Sequence, residues 1–305
     1  MLLTFLMNIF GITYENIYSN LEKYIYNEER LFKQIYEGRI IMKIRADKWY
    51  EAIGKRKSRR KYLNKNIGKE TLNQINNFAE DLNLDSQGVR TKIIKGNSKD
   101  FFTGIIGSYG RIKGASHFAV FIGDTREQNI KERVGYTGEC FILEATANGL
   151  GTCWVAGTFK PEVISEHINL KDYEEVMAIT PLGYTREKHF LGEKILSLMV
   201  SSHKRKELDE LCEGGFHKNW PQWIKTALKS ARLAPSAVNR QPWFFKVQGH
   251  SITVMVSSSK KHSDVSKLID CGIAMFHLEV GAKKEGIEGE WEYLESPDVA
   301  VFTRT

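Results

Sequence analysis

From residue 47 onward, hydrophobic positions follow two alternating patterns. Apolar side chains recur at helical spacing, which predicts helices, over residues 47–57, 69–83 and 128–148. Short apolar runs, which predict strands, occupy residues 89–94, 116–123, 153–157 and 175–183. Pro161 predicts a short helix between the last two strands. The pattern therefore predicts a mixed α+β fold.

The second half of the chain repeats this order in outline. Helical spacing predicts helices over residues 220–233 and 265–285, and strand patterns occupy residues 242–248, 251–257 and 289–295. A shift of 137 positions places Gly135 on Gly272 and Trp154 on Trp291. We interpret the repetition as an internal duplication with insertions between its blocks.

The duplication suggests a division of the chain into four segments. They are an N-terminal extension (1–41), a first unit (42–200), a polar connector (201–218) and a shortened second unit (219–305). The first residues are apolar, but they lack a basic leading region and a cleavage site, and polar residues follow too soon for a membrane span. Residues 20–40 predict an appended packing helix.

Composition is that of a globular protein. The 305 residues are 42% hydrophobic and 27% charged, and the net charge of +7 hints at an anionic partner, although most charges are mixed along the surface. The four cysteines lie far apart without a C-x-x-C pair, which disfavours a zinc ribbon, a redox dithiol and a disulfide framework. We therefore expect reduced cysteines and a cytoplasmic protein.

A basic run, KRKSRRK, occupies residues 55–61 and contains six cations in seven positions. Cations at a helix end interact favourably with the helix dipole, so a solvated helix end explains part of the run. The alternative is nucleic-acid or phosphate binding. Guanidinium groups can grip pairs of phosphate oxygens, and the Ser58 hydroxyl can serve a further oxygen.

Two further stretches could contact a flat ligand. In APSAVNRQPW, residues 234–243, small residues permit close approach, Asn239 and Gln241 both donate and accept, and prolines stiffen the loop. By composition alone, a loop that leaves a helix with Pro242 and Trp243 packed inside is favoured. In GLGTCWVAG, residues 149–157, a strand of small residues could lie along a ring system with its amides free to hydrogen-bond.

Together the three stretches resemble the nitroreductase family of flavin enzymes, in the branch that fuses two family units in one chain. The opening signature, a basic pair, Ser, any residue and a basic residue, stands at residues 56–60. The second, P-S-x-x-N-x-Q-P-W, stands at residues 235–243, and the third, Gly-Leu-Gly-Thr before a tryptophan, at residues 149–154. The resemblance covers roughly residues 45 to 300.

The resemblance implies a nitroreductase-like α+β fold in which the two units form a pseudo-dimer around FMN. The phosphate and ribityl end would be held by Arg56, Lys57, Ser58 and Arg60. The other unit would contribute Pro235, Ser236, Ala237, Asn239 and Gln241. The flavin near N5 would be bordered by Trp154, Val155, Ala156 and Gly157, and Lys204 and Arg205 would complete the phosphate site. Because each copy lacks what the other keeps, we expect one FMN per chain, and the fused pair is compatible with a monomer.

The implied activity is transfer of a hydride from NADH or NADPH through FMN to a nitroaromatic, quinone or similar small-molecule acceptor. No residue stands out as a dedicated acid or base, no metal motif is present, and no G-x-G-x-x-G holds the nicotinamide. We interpret His277 as a packing histidine, and we assign no catalytic role to His117 or His203. No membrane partner is expected.

Two other functions remain open. A flavin-binding or storage protein without turnover would have the same signatures. A nucleic-acid-binding protein would use the basic runs KRKSRRK and HKRK, but it would leave the proline-amide loop unexplained, so no nucleic-acid partner is expected.

Overall fold

The computed structural model describes residues 44–102, 112–186, 204–257 and 266–305. The chain divides into two units, Met1–Met42 and Lys43–Thr305, and the described residues belong to the second. The helix expected over residues 20–40 and the residue His203 lie outside the described residues. The four-segment division of the chain stays a prediction.

Helices and strands alternate along the first half. In chain order its elements are α1 (Ala46–Lys55), α2 (Lys69–Asp85), β1 (Val89–Lys95), α3 (Ser98–Phe101), β2 (His117–Asp124), α4 (Ile130–Ala147), α5 (Pro161–Ser165) and β3 (Glu174–Leu182).

The second half follows a similar order. Its elements are α6 (Leu208–Leu211), α7 (Gln222–Arg232), a 3-10 turn (Ala237–Asn239), β4 (Trp243–Gln248), β5 (Ser251–Val256), α8 (Lys267–Lys284), β6 (Gly289–Tyr293) and β7 (Asp298–Arg304). The expected helices are confirmed within the roughly one or two residues by which helix ends are uncertain.

The described strands form two antiparallel sheets. The first has the order β1-β2-β3, and its central strand β2 is buried along nearly its whole length. One part of the core contains Phe118 with Phe101 and Phe102, while Phe121 packs against Phe141 of α4. Because β2 is covered on both faces, its residues form the continuous apolar run seen in the sequence.

The second sheet has the order β4-β5-β7-β6. Strand β7 was not expected from the sequence, yet it lies between β5 and β6 and buries Val299, Ala300 and Phe302. The apolar residues 299–302 were the sequence signal that could have predicted this strand. The connector expected over residues 201–218 contains, in its described part, the short helix α6, where Leu211 is buried.

The strand expected over residues 153–157 is wrong. Only Val155 of this segment pairs with β3, through an isolated bridge to Ile179. A continuous ladder does not form because the Cys153 N–H donates to the side chain of Thr180 and the Trp154 ring turns toward α4. The segment is therefore an irregular stretch beside β3.

Helices α4 and α8 cross at two glycines. A Cβ added at Gly135 would lie 2.1 Å from Ile269 O, and one added at Gly272 would lie 2.0 Å from Glu132 O. The shift of 137 positions that relates Gly135 to Gly272 also relates Glu132 to Ile269. A two-fold axis between repeated units produces reciprocal contacts of this kind, so the crossing supports the predicted duplication.

Candidate functional site

The basic run begins where α1 ends. Arg56 is the C-cap residue, and its N–H donates to Ala52 O at 2.8 Å. Ser58 then forms a bridge with Thr152, and the Arg59 N–H donates to Thr152 O at 2.7 Å. These bonds hold residues 56–60 beside the Gly149–Trp154 turn, so the first and third signatures adjoin.

Arg56 is the buried cation of this run. Its side chain is 7% exposed, whereas Lys57 is exposed and Ser58 and Arg60 are half-buried. Its Nε has no hydrogen-bond partner among the described residues and lies 3.8 Å from Glu139 Oε1, beyond hydrogen-bond distance. Burial lowers the pKa of Arg56, and Glu139 opposes this effect. A buried donor without a partner is unusual and points to a ligand.

The loop Pro235–Gln241 follows α7 and contains three non-glycine residues in the left-handed region. The φ angles are 47° at Val238, 55° at Asn239 and 46° at Gln241. Such conformations are unfavourable for side-chain-bearing residues, so surrounding contacts must hold them. Pro235 is buried, and the Gln241 N–H donates to Ser236 Oγ at 2.9 Å.

Asp270 of α8 holds the same loop through two hydrogen bonds. Its Oδ1 accepts from the Ala237 N–H at 3.0 Å, and its Oδ2 accepts from Arg240 Nε at 2.6 Å. Burial raises the pKa of Asp270 to about 6, although Arg240 and the Ala237 N–H act in the opposite direction. The loop is thus tied to α8 through one buried carboxylate.

Arg205 connects the loop to the basic run. It donates to Asn239 Oδ1 at 2.6 Å and to Leu233 O at 3.2 Å. Burial lowers the pKa of Arg205 to about 10, and the neighbouring guanidiniums of Arg56 and Arg232 lower it too. The first and second signatures therefore share one electrostatic neighbourhood, although they lie far apart in the sequence.

The amides of the loop are occupied by chain contacts. Asn239 Nδ2 donates to Lys204 O at 2.9 Å, so Lys204 contributes its backbone here while its side chain is exposed. Gln241 is buried, and its Oε1 accepts from the Lys206 N–H at 2.9 Å. Both amides therefore fix the loop against residues 204–206.

Trp154 is fixed on three sides. Its ring lies 4.9 Å from that of Phe121, its Nε1 donates to Glu139 Oε2 at 2.6 Å, and a Cβ added at Gly138 would come within 2.4 Å of the ring. The Val155 N–H donates to Ile179 O at 2.9 Å. The expectation of free amides is therefore wrong for Cys153 and Val155.

The rest of that segment is more open. Ala156 is half-buried and Gly157 is exposed.

Sequence reasoning missed a buried pair behind the site. Glu139 of α4 and His277 of α8 are both completely buried, and His277 Nε2 lies 2.8 Å from Glu139 Oε1. The interpretation of His277 as a packing histidine is confirmed in that both ring nitrogens have partners. A carboxylate within the buried apolar stretch of α4 was the only sequence signal for Glu139.

Comparison with known proteins identifies the family. Residues 48–282 match the family described as "Putative TM nitroreductase". The chain belongs to the nitroreductase family. The resemblance seen in the signatures is confirmed, and members of this family are oxidoreductases.

Solved nitroreductase structures are similar to this chain. A "putative nitroreductase" from Thermotoga maritima is 21% identical, with a TM-score of 0.55 over 84% of this chain and 93% of that one. A nitroreductase family protein from Clostridium difficile 630 is 22% identical, with a TM-score of 0.40 over 56% of this chain and 98% of that one. An FMN-dependent nitroreductase from C. difficile R20291 is 21% identical, with a TM-score of 0.36 over 45% of this chain and 88% of that one.

The Thermotoga protein confirms the expected nitroreductase-like α+β fold. No curated protein matches the chain significantly.

Within the described ranges, no helix is long and apolar enough to cross a membrane. The same ranges bring together no three His, Cys, Asp or Glu residues that could hold a metal ion.

Proposed function

We propose that this nitroreductase family member is an FMN-dependent NAD(P)H oxidoreductase that reduces a nitroaromatic, quinone or similar acceptor. The observation that carries the proposal is the buried guanidinium of Arg56, whose Nε has no hydrogen-bond partner among the described residues, beside Arg205. Family membership supports the same conclusion. A cytoplasmic location and one FMN per chain belong to this proposal.

The residues at the site fit a phosphate group. Arg56 and Arg232 lie close enough to Arg205 for their positive charges to lower its pKa. A phosphate among them would offset this repulsion and would accept charge-assisted hydrogen bonds. Arg56 and Arg205 would hold the FMN phosphate, with Ser58 and Arg60 beside them.

The remaining site residues would position the flavin. Residues 235–241 reach the site from the second half because Asp270 and Arg205 fix the loop. Trp154 offers a rigid wall because Phe121 and Glu139 hold its ring. When bound, FMN accepts a hydride from the nicotinamide and passes reducing equivalents to the acceptor. The chain supplies binding and orientation.

A titration with FMN tests the proposal. Arg56→Ala should weaken FMN binding by on the order of 2 kcal/mol, because a charge-assisted phosphate contact is lost. Lys55→Ala, which removes an exposed cation paired with Glu51, serves as the matched control and should leave the dissociation constant nearly unchanged. An unchanged constant for Arg56→Ala would remove this residue from the site.

A second variant tests whether both halves form the site. Asn239→Ala removes one acceptor of Arg205, so FMN binding should weaken although the residue lies in the other half. Bleaching of the bound flavin by NADH or NADPH without oxygen then tests turnover. Flavin that stays yellow would favour a storage protein, and an effect of only one of the two variants would contradict the shared site.

A further inference from the structure

The pair Glu139–His277 touches two of the signature stretches and the helix that leads into the third. Glu139 Oε2 accepts from Trp154 Nε1 at 2.6 Å, and its Oε1 lies 3.8 Å from Arg56 Nε. His277 Nδ1 lies 3.1 Å from Ser230 O on α7, the helix that leads into the Pro235–Gln241 loop. Both residues of the pair are completely buried, so water does not compete for these contacts.

Donor and acceptor rules determine how many protons the pair holds. The Ser230 carbonyl can only accept, so His277 Nδ1 must carry a proton. His277 Nε2 and Glu139 Oε1 lie 2.8 Å apart, which requires a second proton between them. Whether this proton belongs to the imidazole or to the carboxyl group, the pair as a whole is electrically neutral.

Neutrality explains the position of Arg56. An uncompensated carboxylate in a buried site would draw the guanidinium into a hydrogen-bonded ion pair. Instead, His277 occupies Glu139 Oε1 and Arg56 Nε stays 3.8 Å away, without a hydrogen-bond partner among the residues described. Arg56 therefore forms only a long ion pair with Glu139, and its Nε–H is left to hydrogen-bond another anion.

We infer that His277 is a positioning residue: it neutralises Glu139 through one shared proton and so keeps the Arg56 guanidinium available to a phosphate. The inference rests on the proposed function, in which that phosphate belongs to FMN. It assigns a role in the first half's phosphate site to a residue of the second half. The same pair fixes Trp154 through the other oxygen of Glu139.

Glu279 provides a matched comparison. Like Glu139 it is a buried carboxylate, but it lies on α8. It accepts from Trp291 Nε1 at 2.8 Å and from the Tyr136 hydroxyl at 2.5 Å. Lys283 Nζ lies 3.8 Å from its Oε1, and in the described part of the chain its hydrogen bonds are to a tyrosine and a tryptophan, not to a histidine or to the basic run. Glu279→Gln therefore disturbs a similar buried network away from Arg56.

The ratio of the dissociation constants of riboflavin and FMN isolates the phosphate contribution. His277→Gln keeps a donor toward Glu139 but removes the shared proton, so Glu139 should pair with Arg56 and the ratio should fall at least tenfold. Adding Glu139→Gln to this variant removes the carboxylate, and the ratio should recover. Glu279→Gln should leave it unchanged. If the role of His277 were purely structural, His277→Gln would weaken the binding of riboflavin and FMN alike, and adding Glu139→Gln would not restore it.

The outcomes separate the inference from the proposed function. A wild-type protein that binds neither flavin, or both equally, contradicts the proposed function. A wild-type preference for FMN that persists in His277→Gln overturns the inference. Histidine nitrogen NMR of the flavin-free wild-type protein tests the pair without any flavin or variant. We expect a proton on Nδ1 and one proton in the Nε2 to Glu139 hydrogen bond at pH 7, and the absence of either overturns the inference.

Discussion

Replacing Asp270 by asparagine removes the charge that ties the Pro235–Gln241 loop to α8. The carboxylate accepts from the Ala237 N–H and from Arg240 Nε, and its side chain is only 3% exposed. Asparagine has the same size and keeps one of the two acceptor oxygens, while an NH2 donor replaces the other. The substitution therefore tests the charge of this side chain more than its shape.

The magnitude follows from the pKa of Asp270. Burial raises it from 3.8 to about 6, and this difference corresponds to about 3 kcal/mol at 1.36 kcal/mol per pKa unit. Because the folded state has the higher pKa, it binds the proton more tightly than the unfolded state does. The stabilisation from the protonated group is complete below pH 3.8 and is lost as the pH rises through about 6.

Urea unfolding at pH 4 and pH 7 measures this effect. Between these values the free energy of unfolding of Asp270→Asn should rise by about 2 kcal/mol relative to that of the wild type, because at pH 4 part of the unfolded Asp270 is already ionised. Asp172→Asn, which removes an exposed carboxylate, is the control for loss of charge at the surface. A difference between wild type and Asp270→Asn that does not change with pH would refute the reasoning. A change of opposite sign would show that the Arg240 ion pair outweighs burial.

Two further substitutions test the helix crossing and the loop. Gly135→Ala should lower the free energy of unfolding by about 3 kcal/mol, because its Cβ would lie 2.1 Å from Ile269 O. Gly54→Ala, with no atom within 4 Å, should instead raise it by about 0.5–1 kcal/mol, and equal effects in urea unfolding would contradict the close crossing. Val238→Gly should stabilise the protein by about 1 kcal/mol, because φ is 47° and the residue is 45% exposed. A lower thermal midpoint for that variant would mean that the valine side chain contributes more than its conformation costs.

Local pattern was sufficient for most of the secondary structure. Helices α4 and α8 were predictable because their apolar residues repeat over many turns, and β2 because its apolar run is short and continuous. The pattern failed at residues 153–157, where Trp154 leaves the strand direction to reach Glu139. Pairing in a sheet depends on a partner strand, and composition does not report that partner.

The sequence by itself determined the family, because its three signatures are short, contiguous and read without knowledge of distant contacts. Only the tertiary structure decided which cation of the basic run is buried, and it singled out Arg56 over the exposed Lys57. It also decided that Glu139 and His277 meet, although 138 positions separate them. Burial and shared protons depend on neighbours from different helices, and residue spacing along one chain does not determine which neighbours those are.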